Sequence, residues 1–499
     1  MSEALEKLQE IVKQQGRLSR MSNVLYWDMR SICPKNGLEG HGELLSYVYN
    51  ESFKLNTSEE LGELLTKLNK KEEYDALDGK WQYIVRQMKK DYDRNKSIPA
   101  ELYARFVDAQ IASQNAWEEA KNASDYSIFA PHLDKLIELT KQTYAYTDPG
   151  KEIYDAMLNE YEEGMDSATI DGLFEAMKRE LVPLVKAIVA KPEPDDTKFH
   201  RDYDIDRQKK MQDILLEYIG FDFASGATGE TEHPFTLNFS SKDVRVSNHY
   251  HMDMPLDASF SAIHEGGHAI FEQNVNPDYD GTIAGSCRYM RIHESQSRFY
   301  ENILGRNINF WKPVFPKIQE ILPDMKDITY EELEREINHI KNSYIRTEAD
   351  ELTYCFHIIL RYEIEKDIFR KGLTAADLPK LWNEKMEEYL GIIPRNDAEG
   401  ILQDMHWSDA SFGYFPTYLL GTIYDGMYLE KLEEELGSVD TILAEGRIGE
   451  ITKWLNEKIH YYGSTRKPKE VLQAVCGKEA TAEPIIRHFK EKYTRLYEL

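Results

Sequence analysis

The sequence is poor in cysteine, in long apolar runs and in strand patterning, and each shortage removes a class of protein. Its four cysteines, Cys33, Cys287, Cys355 and Cys476, are scattered with no paired spacing. No disulfide frame is expected, and all four read as reduced thiols of a cytoplasmic protein. No stretch approaches the roughly 18 consecutive apolar residues of a membrane span. The first 30 residues carry charge throughout, at Glu3, Glu6, Lys7, Glu10, Lys13 and Arg17, and lack the apolar centre of a signal peptide. Positive charge is also in deficit: 61 Lys and Arg against 88 Asp and Glu leave a formal net charge of −27. That balance argues against nucleic acid or an anionic membrane as a partner.

What is present is a globular composition, 41% hydrophobic and 30% charged over 499 residues. Helical periodicity dominates. Leu5, Leu8, Ile11 and Val12 mark an amphipathic N-terminal helix, and Leu173, Phe174, Met177, Leu181, Leu184, Val185 and Ile188 form a second stripe that Pro183 should kink or divide. A third stripe, Met211, Ile214, Leu215, Tyr218 and Ile219, is closed by Gly220. The segment 191–197 reads as a linker and 226–232 as a loop. Phe235–Phe239 and Val244–Val246 alternate like short strands joined by a turn at 240–243. The expectation is an all-α fold with one small β-sheet: a single mostly helical domain over 1–499, with an N-terminal helical half, 1–190, and a catalytic half, 198–499.

The catalytic reading rests on Ile263-His-Glu-Gly-Gly-His-Ala-Ile270. Two histidines four apart on a helix face the same way, so His264 and His268 can hold one metal ion. Glu265 then lies beside the ion, where it can take a proton from water. The helix should begin near Asp257 or Ser259. The interior glycines Gly266 and Gly267 are either merely tolerated or leave a bare surface for a substrate strand or neighbouring helix. A catalytic metal site of this kind needs a third protein ligand, and Glu294 in Arg291-Ile-His-Glu-Ser-Gln-Ser-Arg298 is the natural candidate. No calcium loop and no third histidine at the three-histidine spacing compete with it.

Peptide hydrolysis further requires a donor to a developing oxyanion and, for an exopeptidase, a fixed cation for the free C-terminal carboxylate. His406, Tyr414 and Tyr418 are candidates for the first role, Arg245 and Arg346 for the second. Taken singly, each is better explained by core packing or a solvated helix face.

Together these segments resemble the thermostable (Taq-type) metallocarboxypeptidase 1 family over roughly residues 20–420. The resemblance is carried by His233-Pro-Phe235, Asp243-Val-Arg-Val-Ser247 (with Ser where the family has Thr), the metal-binding pair, His293-Glu-Ser-Gln296, Ile345–Asp350 and Gly400–Trp407. Trp27-Asp28, followed by Pro34 and Gly37, is similar to the family's N-terminal region. The resemblance implies a helical shell around a deep groove, similar to neurolysin and angiotensin-converting enzyme. It also implies a cytoplasmic homodimer that removes single C-terminal amino acids from peptides, with broad specificity and poor tolerance of terminal proline. It assigns His264, His268 and Glu294 to one divalent metal, for which zinc is expected, although cobalt or manganese fits the same geometry. Glu265 becomes general base and acid, and His406 with Tyr418 (Tyr414 the alternative) the oxyanion donors. His233, Arg245, Arg346, Tyr414 and Gln403 become substrate-binding residues, the two arginines where the groove closes. The alternatives are an endo-acting oligopeptidase of the same fold and a non-catalytic, metal-containing peptide-binding protein.

Overall fold

The structure is a computed structural model that describes residues 2–286 and 288–499; Cys287, one of the four expected thiols, lies outside the described residues. The other three are thiols, with Cys355 buried and Cys33 and Cys476 half-buried. The fold is all-α with a single three-stranded sheet among the described residues. No helix of the described residues is long and apolar enough to cross a membrane. The chain gathers into two compact units, each assembled from three stretches. The first takes Met1–Lys96, Asp195–Ile337 and Lys431–Gly477, and the second Ser97–Pro194, Asn338–Glu430 and Lys478–Leu499. One boundary, Pro194 to Asp195, falls inside the proline-rich segment read as a linker.

The first unit opens with the 29-residue helix Glu3–Ser31. Acidic Glu3 and Glu6 in its first turn and Arg30 in its last complement the helix dipole. Its stripe of Leu5, Leu8, Ile11 and Val12 is buried with Leu61, Leu65, Leu68, Ile84 and Val85. Further along, the helix Ile205–Ile219 ends at Gly220, as its pattern requires. The expected hairpin is present as β2, Thr236–Ser240, antiparallel to β3, Asp243–Asn248.

The segment read as a loop contains a third strand. Gly226–Glu230 forms β1 and pairs in parallel with β3, giving the sheet order β1-β3-β2. Its sequence, Gly-Ala-Thr-Gly-Glu, has no large apolar residue and a single β-branched one, Thr228, so the strand is made by tertiary packing rather than by propensity. A Cβ at Gly226 would lie 2.7 Å from the Val244 carbonyl oxygen, so only a glycine lets β1 approach β3 so closely.

The helix that carries the metal motif runs from Pro255 to Asn274. It starts earlier than Asp257 or Ser259, because Pro255 supplies a fixed φ at a position where no backbone N–H is needed. Gly266 and Gly267 are there for helix packing. A Cβ at Gly266 would meet Ile219 and Leu216 at 2.5 and 2.7 Å, and one at Gly267 would meet the Ser297 Cα at 2.8 Å. The bare surface admits two neighbouring helices, one of which carries Glu294.

In the second unit the helix Ser167–Val189 passes through Pro183 undivided. Pro183 is exposed, so the carbonyl it leaves without an N–H partner faces solvent rather than the core. The helix Tyr354–Lys371 is buried on every side along most of its length, which makes it the central element of this unit.

Candidate metal centre and substrate-end residues

On the Pro255–Asn274 helix the four-residue spacing sets the His264 and His268 rings 5.0 Å apart, centroid to centroid, on one face. Glu294 faces them from the helix Met290–Arg298. Its Oε2 lies 3.9 Å from His264 Nε2 and 3.6 Å from His268 Nε2. These separations are too long for hydrogen bonds. They are the separations of donor atoms that share one ion about 2 Å from each. The three groups form a cluster able to hold a metal ion.

The electrostatics fit that cation. Burial disfavours a charged His264, yet the hydrogen bond to Glu301 and the charges of Glu294 and Glu301 outweigh it and raise its pKa to about 9. Carboxylates that favour a proton on this ring favour a divalent cation in its place, and metal binding expels the proton. His268 is different: burial and the neighbouring His293 hold it neutral, at about 3. Burial works against the Glu294 carboxylate as well, but His268, His264 and Arg298 keep it ionised. A neutral imidazole and an ionised carboxylate are the ligand forms a metal requires.

The groups behind the ligands were not found from the sequence. The helix Met290–Arg298 continues as a π-helix over Phe299–Gly305, and this segment delivers Glu301, whose Oε2 is 2.8 Å from His264 Nδ1. Glu301 is held at about 2, the His264 hydrogen bond and the charges of His264, Arg306 and Arg298 outweighing burial. With Nδ1 engaged, Nε2 of His264 is turned to the metal position. The sequence does hold a clue: Glu301 follows Glu294 by seven residues, close to two helical turns. His268 Nδ1 is buried without a hydrogen bond; its ring is fixed by stacking on His293, with centroids 4.4 Å apart. His293 in turn pairs with Glu272 at 2.9 Å.

Replacing Glu301 by Gln should weaken metal affinity by about 10–100-fold, the usual effect of losing the carboxylate behind a metal-binding histidine. Competition against a chelator measures it, and unchanged affinity would remove Glu301 from the site.

Glu265, one residue after His264, is buried. Burial raises its pKa above the ordinary carboxylate value, against the pull of His264 and a hydrogen bond. That bond comes from Thr236 Oγ1 on β2, at 2.6 Å from Glu265 Oε2. The hairpin therefore fixes the direction of the carboxylate beside the metal position.

The other residues singled out in the sequence fall into two groups. His233 and Arg245 belong to the sheet region of the first unit. His233 is exposed, and its carbonyl accepts from Thr231 Oγ1. Arg245 donates to Asp243 at 3.1 and 3.2 Å and covers the Phe239 ring. Arg346, Gln403, His406, Tyr414 and Tyr418 gather in the second unit. Arg346 is buried, donates to Asp404 Oδ1 from Nε and Nη2 at 3.0 and 2.8 Å, and reaches Tyr354 Oη with Nη1. Gln403 serves this network: its Oε1 accepts from the Arg346 N–H and from Arg361, and its amide donates to the carbonyls of Tyr344 and Glu399.

His406 packs against Phe415 and Tyr414, with centroids 4.5 and 5.6 Å away. Burial, opposed by the Asp404 charge and aided by those of Arg346 and Arg361, lowers its pKa to about 4, so at neutral pH it is an uncharged imidazole. Glu365, which had no signal in the sequence, clamps this segment by accepting from Trp407 Nε1, Gly413 N and Tyr154 Oη at 2.7, 2.8 and 2.9 Å.

A helical fold with a half-buried two-histidine, one-glutamate site and an adjacent buried glutamate defines a metallopeptidase. The model of the carboxypeptidase Taq (M32) metallopeptidase family matches residues 7–493, and the chain belongs to that family. It is 41% identical over 490 residues to carboxypeptidase 1 of Bacillus subtilis (strain 168), covering 98% of this chain and 97% of that protein. Thermostable carboxypeptidase 1 of Thermus thermophilus is 32% identical, with 99% of each chain covered. Among solved structures, the M32 carboxypeptidase of Deinococcus radiodurans superposes with a TM-score of 0.95 at 29% identity, over 100% of both chains. The Pyrococcus furiosus carboxypeptidase gives 0.93 at 33% identity, with 99% of each covered. The chain is accordingly a metallocarboxypeptidase that uses a divalent metal.

Proposed function

We propose that this enzyme removes single amino acids from the free C-termini of peptides, with broad specificity and poor turnover of terminal proline, and that Glu265 is its general base and acid. The observation that carries the reading is the state of Glu265: a buried carboxyl with a raised pKa, adjacent in sequence to a metal ligand and oriented by Thr236. A carboxylate shifted towards neutral pH is the better proton acceptor there. Zinc is the proposed metal, because two imidazoles and a carboxylate suit it; cobalt and manganese accept the same set. Held by His264, His268 and Glu294, that ion supplies Lewis acidity to water and to the scissile carbonyl. Glu265 takes the proton of the attacking water and returns it to the leaving amine.

His406 and Tyr418 are proposed as donors to the oxyanion, Tyr414 being the alternative. The neutral state of His406 supports this role, since an uncharged imidazole keeps one N–H to donate. Arg245 and Arg346 are proposed as the cations that read the substrate's terminal carboxylate, with His233 and Gln403 among the substrate-binding residues. Family resemblance supports a homodimer. The unpaired spacing of the cysteines and the net charge of −27 support a cytoplasmic location.

Peptides with amidated C-termini test the reading. A carboxypeptidase should leave them intact while trimming the free acids, whereas equal cleavage of both forms would identify an endo-acting oligopeptidase.

A further inference from the structure

The end of the first helix carries another group of metal-ligating side chains, built from none of the residues of the metal centre. Asp28 lies in the last turn of Glu3–Ser31, Cys33 follows its C-cap, and His41 stands on the first turns of the next helix, Leu38–Asn56. All three are half-buried. His41 Nε2 is 3.0 Å from Asp28 Oδ2, and a carboxylate oxygen of Asp28, Cys33 Sγ and a ring nitrogen of His41 all lie within 4.8 Å of one another.

The turn that joins the helices holds the three in place. Ile32 and Cys33 both donate their N–H to the Asp28 carbonyl, at 3.1 and 2.8 Å, and Gly37 N–H donates to the Pro34 carbonyl at 2.7 Å. His41 Nδ1 is 3.2 Å from the Gly37 carbonyl, which can only accept, so Nδ1 carries a proton. In the neutral ring Nε2 then presents a lone pair to a carboxylate oxygen. Two acceptors at this distance repel unless a cation, a proton or a metal ion, lies between them. The nearby Sγ makes the second choice favourable, since thiolate, imidazole and carboxylate together form a zinc-type ligand set.

We propose that Asp28, Cys33 and His41 form a second divalent-metal site, selective for zinc and ions of similar softness. Binding displaces the thiol proton of Cys33 and any proton on His41 Nε2 to solvent, so zinc uptake at this site releases protons and weakens as pH falls. Burial and the Asp28 charge hold the Cys33 thiol above its ordinary pKa, so without metal it stays protonated near neutral pH. The site joins the first two helices next to Trp27, whose ring rests on Phe235 with centroids 5.6 Å apart. Occupancy is therefore expected to stiffen the corner that supports the hairpin.

Cobalt reports on this site separately, because the His264, His268 and Glu294 set contains no sulfur. Holoenzyme titrated with cobalt chloride should develop a thiolate-to-cobalt charge-transfer band, and equilibrium dialysis against zinc chloride should show a second equivalent of zinc per chain. Cys33→Ser should lose both the band and the second equivalent while keeping the first, and His41→Gln should weaken both. Zinc should also protect wild-type Cys33 from a thiol reagent, a measurement that needs no variant. No band in the wild type, or a band and second equivalent that persist in Cys33→Ser, would overturn the proposal.

Discussion

Glu265→Gln should keep its metal and lose about 10²–10⁴-fold in kcat, the range that a positioned general base contributes. Glutamine has the size of glutamate, and its Oε1 can still accept from Thr236 Oγ1, the bond that orients the wild-type carboxylate. The metal ligands are untouched, so metal content measured by emission spectroscopy should match wild type. What disappears is the group able to take the proton of the attacking water. KM should change much less than kcat, because the lost interaction belongs to the transition state. A Glu265→Gln enzyme that hydrolyses peptides at the wild-type rate would contradict the mechanism.

Glu294→Ala should have the other large effect, through the metal rather than the proton. It removes one of three ligands and leaves the half-buried imidazoles of His264 and His268 without the carboxylate 3.9 and 3.6 Å from them. Arg298, 3.7 Å from Glu294 Oε1, loses that partner too. The loss of metal affinity should exceed the roughly 10–100-fold expected for an outer group such as Glu301. Dialysed protein should then be depleted of metal and inactive together. A variant that retained metal after dialysis would show that Glu294 is not a ligand.

These two residues also mark how far the sequence could be read. The His264–His268 pair is legible because helical periodicity turns a four-residue spacing into one shared face. Glu294 is legible because a catalytic metal of this type demands a third ligand. Glu301 leaves only a weak trace, its seven-residue spacing from Glu294, because nothing local shows that the π-helical segment turns it towards His264 Nδ1. Thr236 and Glu365 act through tertiary contacts that leave no local trace: a threonine in a strand and a glutamate on a helix look ordinary until the fold shows what they hold. β1 was missed for the opposite reason, since its glycines, which look like loop residues, are what close packing against β3 requires. Pro183 showed that a helix can accommodate proline when the freed carbonyl faces solvent.

The central claim, that a metal held by His264, His268 and Glu294 drives stepwise removal of C-terminal residues, is tested most directly by one time course. An unblocked peptide is incubated with the enzyme and followed by mass spectrometry, with and without chelator. The account predicts a ladder of products shortened one residue at a time from the C-terminus, abolished by chelation and restored by added zinc or cobalt. Internal cleavage products, or a ladder that persists in the chelated enzyme, would contradict it.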